Sequence, residues 1–134
     1  MLRNLVRNVL LGNASLVMVG LALAVAPIAA NAAGDATKGK ALFETNCATC
    51  HGVSGKGDGP VGIALPEPKP RDFTKAEFKF DTDKDGKMGT DADLVNVVKT
   101  GAAAYGGNPL MAPWAQLPEA DIVNIIAYVR TFHK

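Results

Sequence analysis

Two thiols and an imidazole lie within five residues of one another, in the stretch CATCH at positions 47–51. Cys47 and Cys50 are the only cysteines of the chain, and His51 follows the second one directly. The pattern C-x-x-C-H is typical of c-type haem attachment. Two thiols at this spacing on a helical turn can each form a thioether to one haem vinyl group, and the next residue is then placed to bind the iron. The motif predicts one covalent haem c with His51 as its proximal ligand.

Other uses of these two cysteines are open but explain less. A disulfide would close a loop of two intervening residues, which restricts the unfolded chain very little. A redox-active dithiol uses C-x-x-C in a βαβ context, and no strand pattern surrounds this motif. A zinc site needs four ligands, and His133 is the one further histidine. Haem attachment is the interpretation that uses Cys47, Cys50 and His51 together.

The first 32 residues differ from the rest of the chain. Arg3 and Arg7 precede an almost wholly apolar run, residues 9–30, which ends in the small residues of ANA at 30–32. This is the pattern of a secretory signal peptide, and cleavage after Ala32 would leave one domain, residues 33–134, in the periplasm. The alternative is an uncleaved N-terminal anchor that holds the domain at the membrane, facing the periplasm.

The charge balance excludes one class of partner. The chain has 14 basic and 13 acidic residues, and the predicted signal peptide carries two of the basic ones. Nucleic-acid binding needs a basic stripe, which a nearly neutral domain lacks. Redox protein partners are expected instead, recognised through local patches.

Three segments have helical patterns: residues 35–46, 90–101 and 117–132. Thr90 is a good N-cap for the second segment, and Pro118 followed by Glu119 suits the first turn of the third. Residues 51–73 contain too many glycines and prolines for a regular element and should form a wrapping loop. We therefore predict an all-α domain of three main helices and long Gly/Pro-rich loops, wrapped around one covalent haem that completes a small core.

The chain resembles the class I mono-haem bacterial cytochromes c over residues 34–134. The resemblance rests on CATCHG, GKGDGP, PRDF, TDADLVNVVKTG, NPLMAPW and LPEADIVNIIAYVRTF. It implies a cytochrome c-like fold in which the first and last helices cross at Gly39, Phe43 and Tyr128. It also implies that the carbonyl of Pro60, in GDGP, fixes the ring tautomer of His51.

The same resemblance implies a distal iron ligand. The family carries its axial methionine in a Pro-flanked loop before the last helix, where this chain has Met111 in NPLMAPW. The usual Met-Pro order is changed, because Ala112 separates Met111 from Pro113. Met88, an open sixth position and another ligand such as His133 are the alternatives.

Further residues are expected around the haem. Arg71 of PRDF is expected to pair with a haem propionate, and a plain surface role is the alternative. Trp114 is a candidate for the apolar wall of the pocket, together with Phe73, Phe78 and Phe80, although each would also suit an ordinary core.

The stretch DTDKDGKMG at 81–89 has two interpretations. Asp81, Asp83 and Asp85, followed by Gly86, match the start of an EF-hand calcium loop, but Ala92 stands where the loop needs a bidentate glutamate. A polar, solvent-facing turn is preferred over a weak calcium site. In either case the carboxylates could form a docking patch for a basic redox partner.

The function expected from the motif and the resemblance is one-electron transfer by a haem with His/Met ligation. The chain would be a monomeric periplasmic electron carrier and not an enzyme. The alternative is a haem subunit of a larger periplasmic oxidoreductase complex. A ligand sensor or peroxidase would require a vacant sixth position.

Overall fold

The computed structural model describes residues 33–133, so the predicted signal peptide, residues 1–32, lies outside the described residues. The α-helices there are α1 (Ala36–Asn46), α2 (Ala48–His51), α3 (Asp91–Thr100) and α4 (Glu119–Arg130). Short 3₁₀ helices occupy Gly62–Ala64, Phe73–Lys75 and Ala102–Tyr105, and these 101 residues contain no strand. In the same segment, no helix combines the length and apolar character needed to cross a bilayer. The predicted all-α class is confirmed, with the single turn α2 added to the three expected helices.

The helix boundaries follow from local capping chemistry. The Asp35 carboxylate accepts hydrogen bonds from the backbone amides of Thr37 and Lys38, at 2.9 and 3.2 Å, and so caps α1. Thr90 and Asp93 form a reciprocal capping box at the start of α3. Pro118 precedes α4, whose first turn carries Glu119 and Asp121 as the helix dipole favours.

Helices α1 and α4 cross in close contact at Gly39. A Cβ atom added at Gly39 would lie 1.9 Å from the carbonyl oxygen of Asn124, so only glycine permits this approach. Beside it, the rings of Phe43 and Tyr128 pack edge to face with centroids 5.5 Å apart, and Phe43 is buried. Ile125 of α4 belongs to the same cluster. The predicted crossing at Gly39, Phe43 and Tyr128 is therefore present.

A buried carboxylate joins α3 to the preceding loop. One oxygen of Asp93 accepts hydrogen bonds from the amide and hydroxyl of Thr82, at 2.5 and 2.8 Å. The other accepts from the amide and hydroxyl of Thr90, both at 2.8 Å. Burial opposes the charge, but these hydrogen bonds outweigh it and hold the pKa of Asp93 far below its ordinary value. Asp93 thus fixes both ends of the 82–90 loop.

Arg130, at the end of α4, holds the same region from the other side. Its guanidinium donates to the carbonyl oxygen of Gly89 at 2.6 Å and to the carboxylate of Asp91 at 2.9 Å. It also lies over the ring of Phe78, 4.8 Å from the centroid. The start of α3 and the aromatic segment before it are thereby fastened to the last helix.

The loop after α2 folds back on the helix. The amide of Gly57 donates to the carbonyl of His51 at 2.8 Å, and that of Val61 donates to the carbonyl of Thr49 at 3.0 Å. A Cβ at Gly62 would lie 2.0 Å from the Cys50 carbonyl oxygen, so the chain passes directly against the motif. This is the wrapping loop predicted for residues 51–73.

Candidate functional site

A cavity of about 420 Å³ lies between α1, α2, α3, α4 and the loops, a volume within the usual range for a cofactor site. Its chemistry-bearing lining comes from distant parts of the sequence, namely Cys47, Cys50, His51 and Met111. Apolar side chains cover most of the remaining wall, including Phe73, Phe78, Phe80, Leu94, Val97, Val98, Trp114, Ile125 and Ile126. The cavity is therefore an apolar space with two thiols, one imidazole and one thioether.

Cys47 and Cys50 lie at the junction of α1 and α2, where Cys47 ends the first helix and precedes the second. Both carry free thiols and both are half-buried. Burial, and secondarily the neighbouring Cys50, raises the pKa of Cys47 to about 11. A redox-active dithiol needs a lowered thiol pKa, so the dithiol interpretation does not fit this site.

His51, the last residue of α2, is held by one ring contact and one polar contact. Its ring stacks on Phe73, with centroids 4.7 Å apart and planes at 17°. Its Nδ1 lies 3.5 Å from the carbonyl oxygen of Arg71. Burial lowers the pKa of His51 to about 4, against the opposing effect of that carbonyl, so the ring is neutral at pH 7. With Nδ1 directed at a carbonyl, Nε2 keeps a lone pair for a metal.

The carbonyl predicted for this contact was that of Pro60, and that prediction is wrong. Pro60 is exposed, whereas the backbone of Arg71, 20 residues after His51, passes beside the imidazole. The physical reason is the path of the wrapping loop, which passes against the backbone of α2 at 57–62 but meets the imidazole ring of His51 only at Arg71 and Phe73. The amide of Phe73, donating to the Gly55 carbonyl at 2.7 Å, holds that approach in place.

Met111 is half-buried in the loop between α3 and α4 and lines the cavity. Two backbone bonds tie its loop to the α3 side: Ala102 N to Met111 O at 3.1 Å, and Trp114 N to Val98 O at 2.9 Å. Met88 is 67% exposed and does not line the cavity. His133 is also exposed, with Nδ1 3.4 Å from the carbonyl oxygen of Thr74. Of the alternatives weighed for the sixth position, Met111 faces the site.

Other predicted residues also reach the cavity. Arg71 and Trp114 line it, as do Phe73, Phe78 and Phe80. Sequence reasoning missed Asn108 and Asp93, two buried polar side chains of the lining. A polar residue in a Gly- and Pro-rich loop, such as Asn108, gives no sequence signal for burial. Asp93 has a residue type that suits the first turn of any helix, so its bonds to Thr82 gave no signal either.

Among residues 33–133, one group of three potential metal ligands converges, and it consists of Asp81, Asp83 and Asp85. One carboxylate oxygen from each lies within 4.8 Å of the others. The same carboxylates accept hydrogen bonds from the loop's own amides, for example Gly86 N to Asp81 at 3.0 Å and Lys87 N to Asp85 at 2.8 Å. Residues 81–89 therefore form the predicted polar turn, in which aspartate side chains bond to nearby backbone amides. Cys47, Cys50 and His51 do not converge on a point in the way a zinc site requires.

The amino-acid sequence is similar to those of known proteins. The cytochrome c family model matches residues 36–133. Cytochrome c-554(547) of Halothiobacillus neapolitanus is 36% identical over 102 residues, covering 74% of this chain and 98% of that protein. A cytochrome c-553-like protein of Synechocystis sp. is 50% identical over 32 residues, 24% of this chain and 29% of its own length.

One solved structure is similar as well. It is a chain of the reducing HAO-like protein complex of Kuenenia stuttgartiensis, with a TM-score of 0.60 and 32% identity. The similarity covers 72% of this chain but 41% of that one, so this chain spans less than half the length of its structural neighbour.

The chain belongs to the cytochrome c family, as a class I bacterial member. Membership means that it carries covalently bound haem c and transfers electrons through it. The site fits this cofactor by the chemistry of its donors: two free thiols, a neutral imidazole and a thioether line one largely apolar cavity.

Proposed function

We propose that this chain is a periplasmic one-electron carrier with His/Met axial ligation and no catalytic activity of its own. Cys47 and Cys50 would hold haem c through thioethers, and His51 and Met111 would bind the iron. One observation carries the proposal: these four side chains, up to 64 positions apart, line a single cavity.

Haem c, when bound, supplies a one-electron iron couple. Met111 would fill the sixth position and keep water and oxygen from the iron, so that inner-sphere chemistry is suppressed. A thioether is a soft ligand that favours the ferrous state and raises the reduction potential. The largely apolar wall would limit the access of water and with it the solvent reorganisation during electron transfer. His51 stays neutral at pH 7 and is oriented by the Arg71 carbonyl.

The test is a spectroscopic and mass analysis of the protein purified from a periplasmic extract. We expect a mass equal to residues 33–134 plus one haem, a thioether-to-iron charge-transfer band in the ferric spectrum, and a single one-electron redox transition. A mass that retains residues 1–32 would contradict cleavage after Ala32. Absence of the charge-transfer band would contradict ligation by Met111.

A second candidate function, a haem subunit of a larger periplasmic oxidoreductase complex, is favoured by the structural neighbour, which is a chain of a protein complex. Gel filtration of a native extract separates the two. A monomer with no co-purifying chain supports the free carrier, whereas stable co-elution with a larger protein supports the subunit.

A further inference from the structure

Asn108 opens the segment that carries Met111, and it is buried, with 7% of its surface exposed. In the described part of the chain, Asp93 is the other buried residue that is polar or charged. Asn108 lines the same cavity as Met111, three residues later. A neutral amide is costly to bury unless its donors and acceptor are satisfied, so its partners decide what it does.

The Asn108 side chain joins two loops. Its Nδ2 donates to the carbonyl oxygens of Pro66 and Pro68, at 2.9 and 3.1 Å. Its Oδ1 accepts from the amide of Leu110 at 2.9 Å, and its own carbonyl accepts from the amide of Met111 at 3.0 Å. The partners on the proline segment are about 40 positions away in the chain.

These bonds complete the anchoring of the methionine loop, which is the loop between α3 and α4 that carries Met111. The backbone bonds at Ala102 and Trp114 fasten the loop to the α3 side of the site. Asn108 provides a side-chain tie to the segment 66–68, and Pro68 itself lines the cavity. Pro66 and Pro68 lie in irregular backbone, where no helix or sheet ladder takes up their carbonyls, and a side-chain donor can bond to them instead.

We propose that Asn108 is a positioning residue for Met111, holding the methionine loop against the proline segment so that the thioether stays directed into the cavity. This rests on the proposed function, since it takes Met111 as the distal ligand. A thioether is a neutral, weak ligand that stronger ligands displace, so its binding depends on how firmly its loop is held. Removing a buried amide's hydrogen bonds shifts an equilibrium by about ten-fold or more.

The test compares Asn108→Ala with Asn124→Ala in the haem-containing protein. Asn124 is the matched control because its Oδ1 accepts one long-range bond, from the Asp35 amide at 2.8 Å, at the crossing of α1 and α4. The readouts are the pH at which the ferric charge-transfer band is lost and the extent of carbon monoxide binding by the ferrous protein. Rising pH deprotonates competing ligands such as lysine amines, so it challenges the thioether directly.

We expect the ferric charge-transfer band of Asn108→Ala to be lost at a pH about one unit lower than in wild type, and the ferrous variant to bind carbon monoxide. A ten-fold change in the equilibrium between bound and displaced thioether corresponds to about one pH unit when one proton is released. Asn124→Ala should behave as wild type in both readouts, even where its melting temperature falls. Equal behaviour of the two variants would overturn the role of Asn108.

Two further measurements test the role of Asn108 if the Asn108→Ala protein does not mature. Asn108→Asp keeps the acceptor for the Leu110 amide but places an oxygen against the Pro66 and Pro68 carbonyls, and it should show the same early loss of the band. In wild type, the Leu110 amide should exchange with solvent as slowly as the amides of α3, and rapid exchange would overturn the proposal.

Failure of the proposed function has a different signature. If wild type itself lacks the charge-transfer band or binds carbon monoxide freely, Met111 is not the ligand. If wild type has the band but Asn108→Ala and Asn124→Ala behave alike in both readouts, ligation by Met111 is supported and the positioning role of Asn108 is wrong.

Discussion

Met88 and Met111 differ in environment much more than in chemistry. Both are thioethers in loops rich in small residues, and on chemistry alone either could bind iron. Met88 extends from the acidic turn with 67% of its surface exposed, whereas Met111 lines the cavity. Because a thioether binds iron weakly, its position relative to the cavity decides which of the two methionines can serve as the ligand.

Met111→Ala should therefore open the sixth position. We expect the ferric charge-transfer band to disappear, the reduction potential to fall because the soft ligand is gone, and the ferrous protein to bind carbon monoxide. Met88→Ala is the control and should leave all three unchanged. If Met88→Ala alone abolished the band, the assignment of Met111 would have to be abandoned.

Asp93 is the residue on which acid stability should depend. The fold lowers the pKa of the Asp93 carboxyl, so its ionised form stabilises the folded protein. This contribution is complete above the ordinary carboxyl pKa of about 4 and is lost progressively as the pH falls from there towards the lower pKa of the folded state. Asp93→Asn cannot accept all four hydrogen bonds and should lower the free energy of unfolding at pH 7 by about 1–3 kcal/mol. The loss should shrink at pH 3, as measured by urea unfolding.

Asp91→Asn is the matched control for that experiment. Asp91 stands on the same helical turn, but its side chain is 75% exposed in its ion pair with Arg130, so the change should cost less than about 1 kcal/mol. Similar losses for the two variants at pH 7 would show that Asp93 is not the anchor of the 82–90 loop.

Among the helices, α1 and α4 make the decisive contact, because α1 leads directly into Cys47 and α4 supplies Ile125 and Ile126 to the cavity wall. Their separation is set at Gly39, where the Asn124 carbonyl leaves no room for a side chain. The position of the haem motif, which follows the C-terminal end of α1, thus depends on a contact near the N-terminal end of the same helix.

Gly39→Ala should be destabilising although alanine is the better helix former. The added methyl would meet the Asn124 carbonyl at 1.9 Å and force the helices apart, at a cost of about 1–3 kcal/mol or more. Helix propensity alone would give a gain of about 1 kcal/mol. Thr37→Ala, at an exposed position of α1, should change the free energy of unfolding by less than about 0.5 kcal/mol. A stabilised Gly39→Ala protein would contradict the crossing.

For the protein as a whole, partner recognition must rest on local charge, since the formal net charge of the chain is only +1. Asp81, Asp83 and Asp85 form one such patch, next to the Phe80 that lines the cavity. Lys87, 3.8 Å from Asp85, weakens its field. We therefore expect a modest electrostatic contribution to docking.

Replacing the three aspartates by asparagine should slow reduction by the cation hexaammineruthenium(II) a few-fold at low salt, with the difference vanishing at high salt. Stopped-flow kinetics would measure it, and the anion hexacyanoferrate(II) serves as the control because its rate should rise or stay constant. Identical rates for the cation at low salt would rule out the patch.

Much of this protein can be predicted from its amino-acid sequence by itself, because the signals are local. C-x-x-C-H indicates covalent haem through a spacing that one helical turn explains, and Thr90 or Pro118 mark helix starts through bonds within a few residues. The apolar stripe of Ile122, Ile125, Ile126 and Val129 follows from helical periodicity alone, and these four residues are buried.

Only the tertiary structure decided which groups meet across long stretches of loop. The Arg71 carbonyl, not that of Pro60, reaches His51, and Asn108 bonds to Pro66 and Pro68, because irregular backbone has no period from which to infer its path. Asp93 likewise has the residue type of an ordinary helix start, and its hold on Thr82 depends on how the loop returns. Residue chemistry therefore determined the cofactor, whereas chain packing determined how its ligands are held.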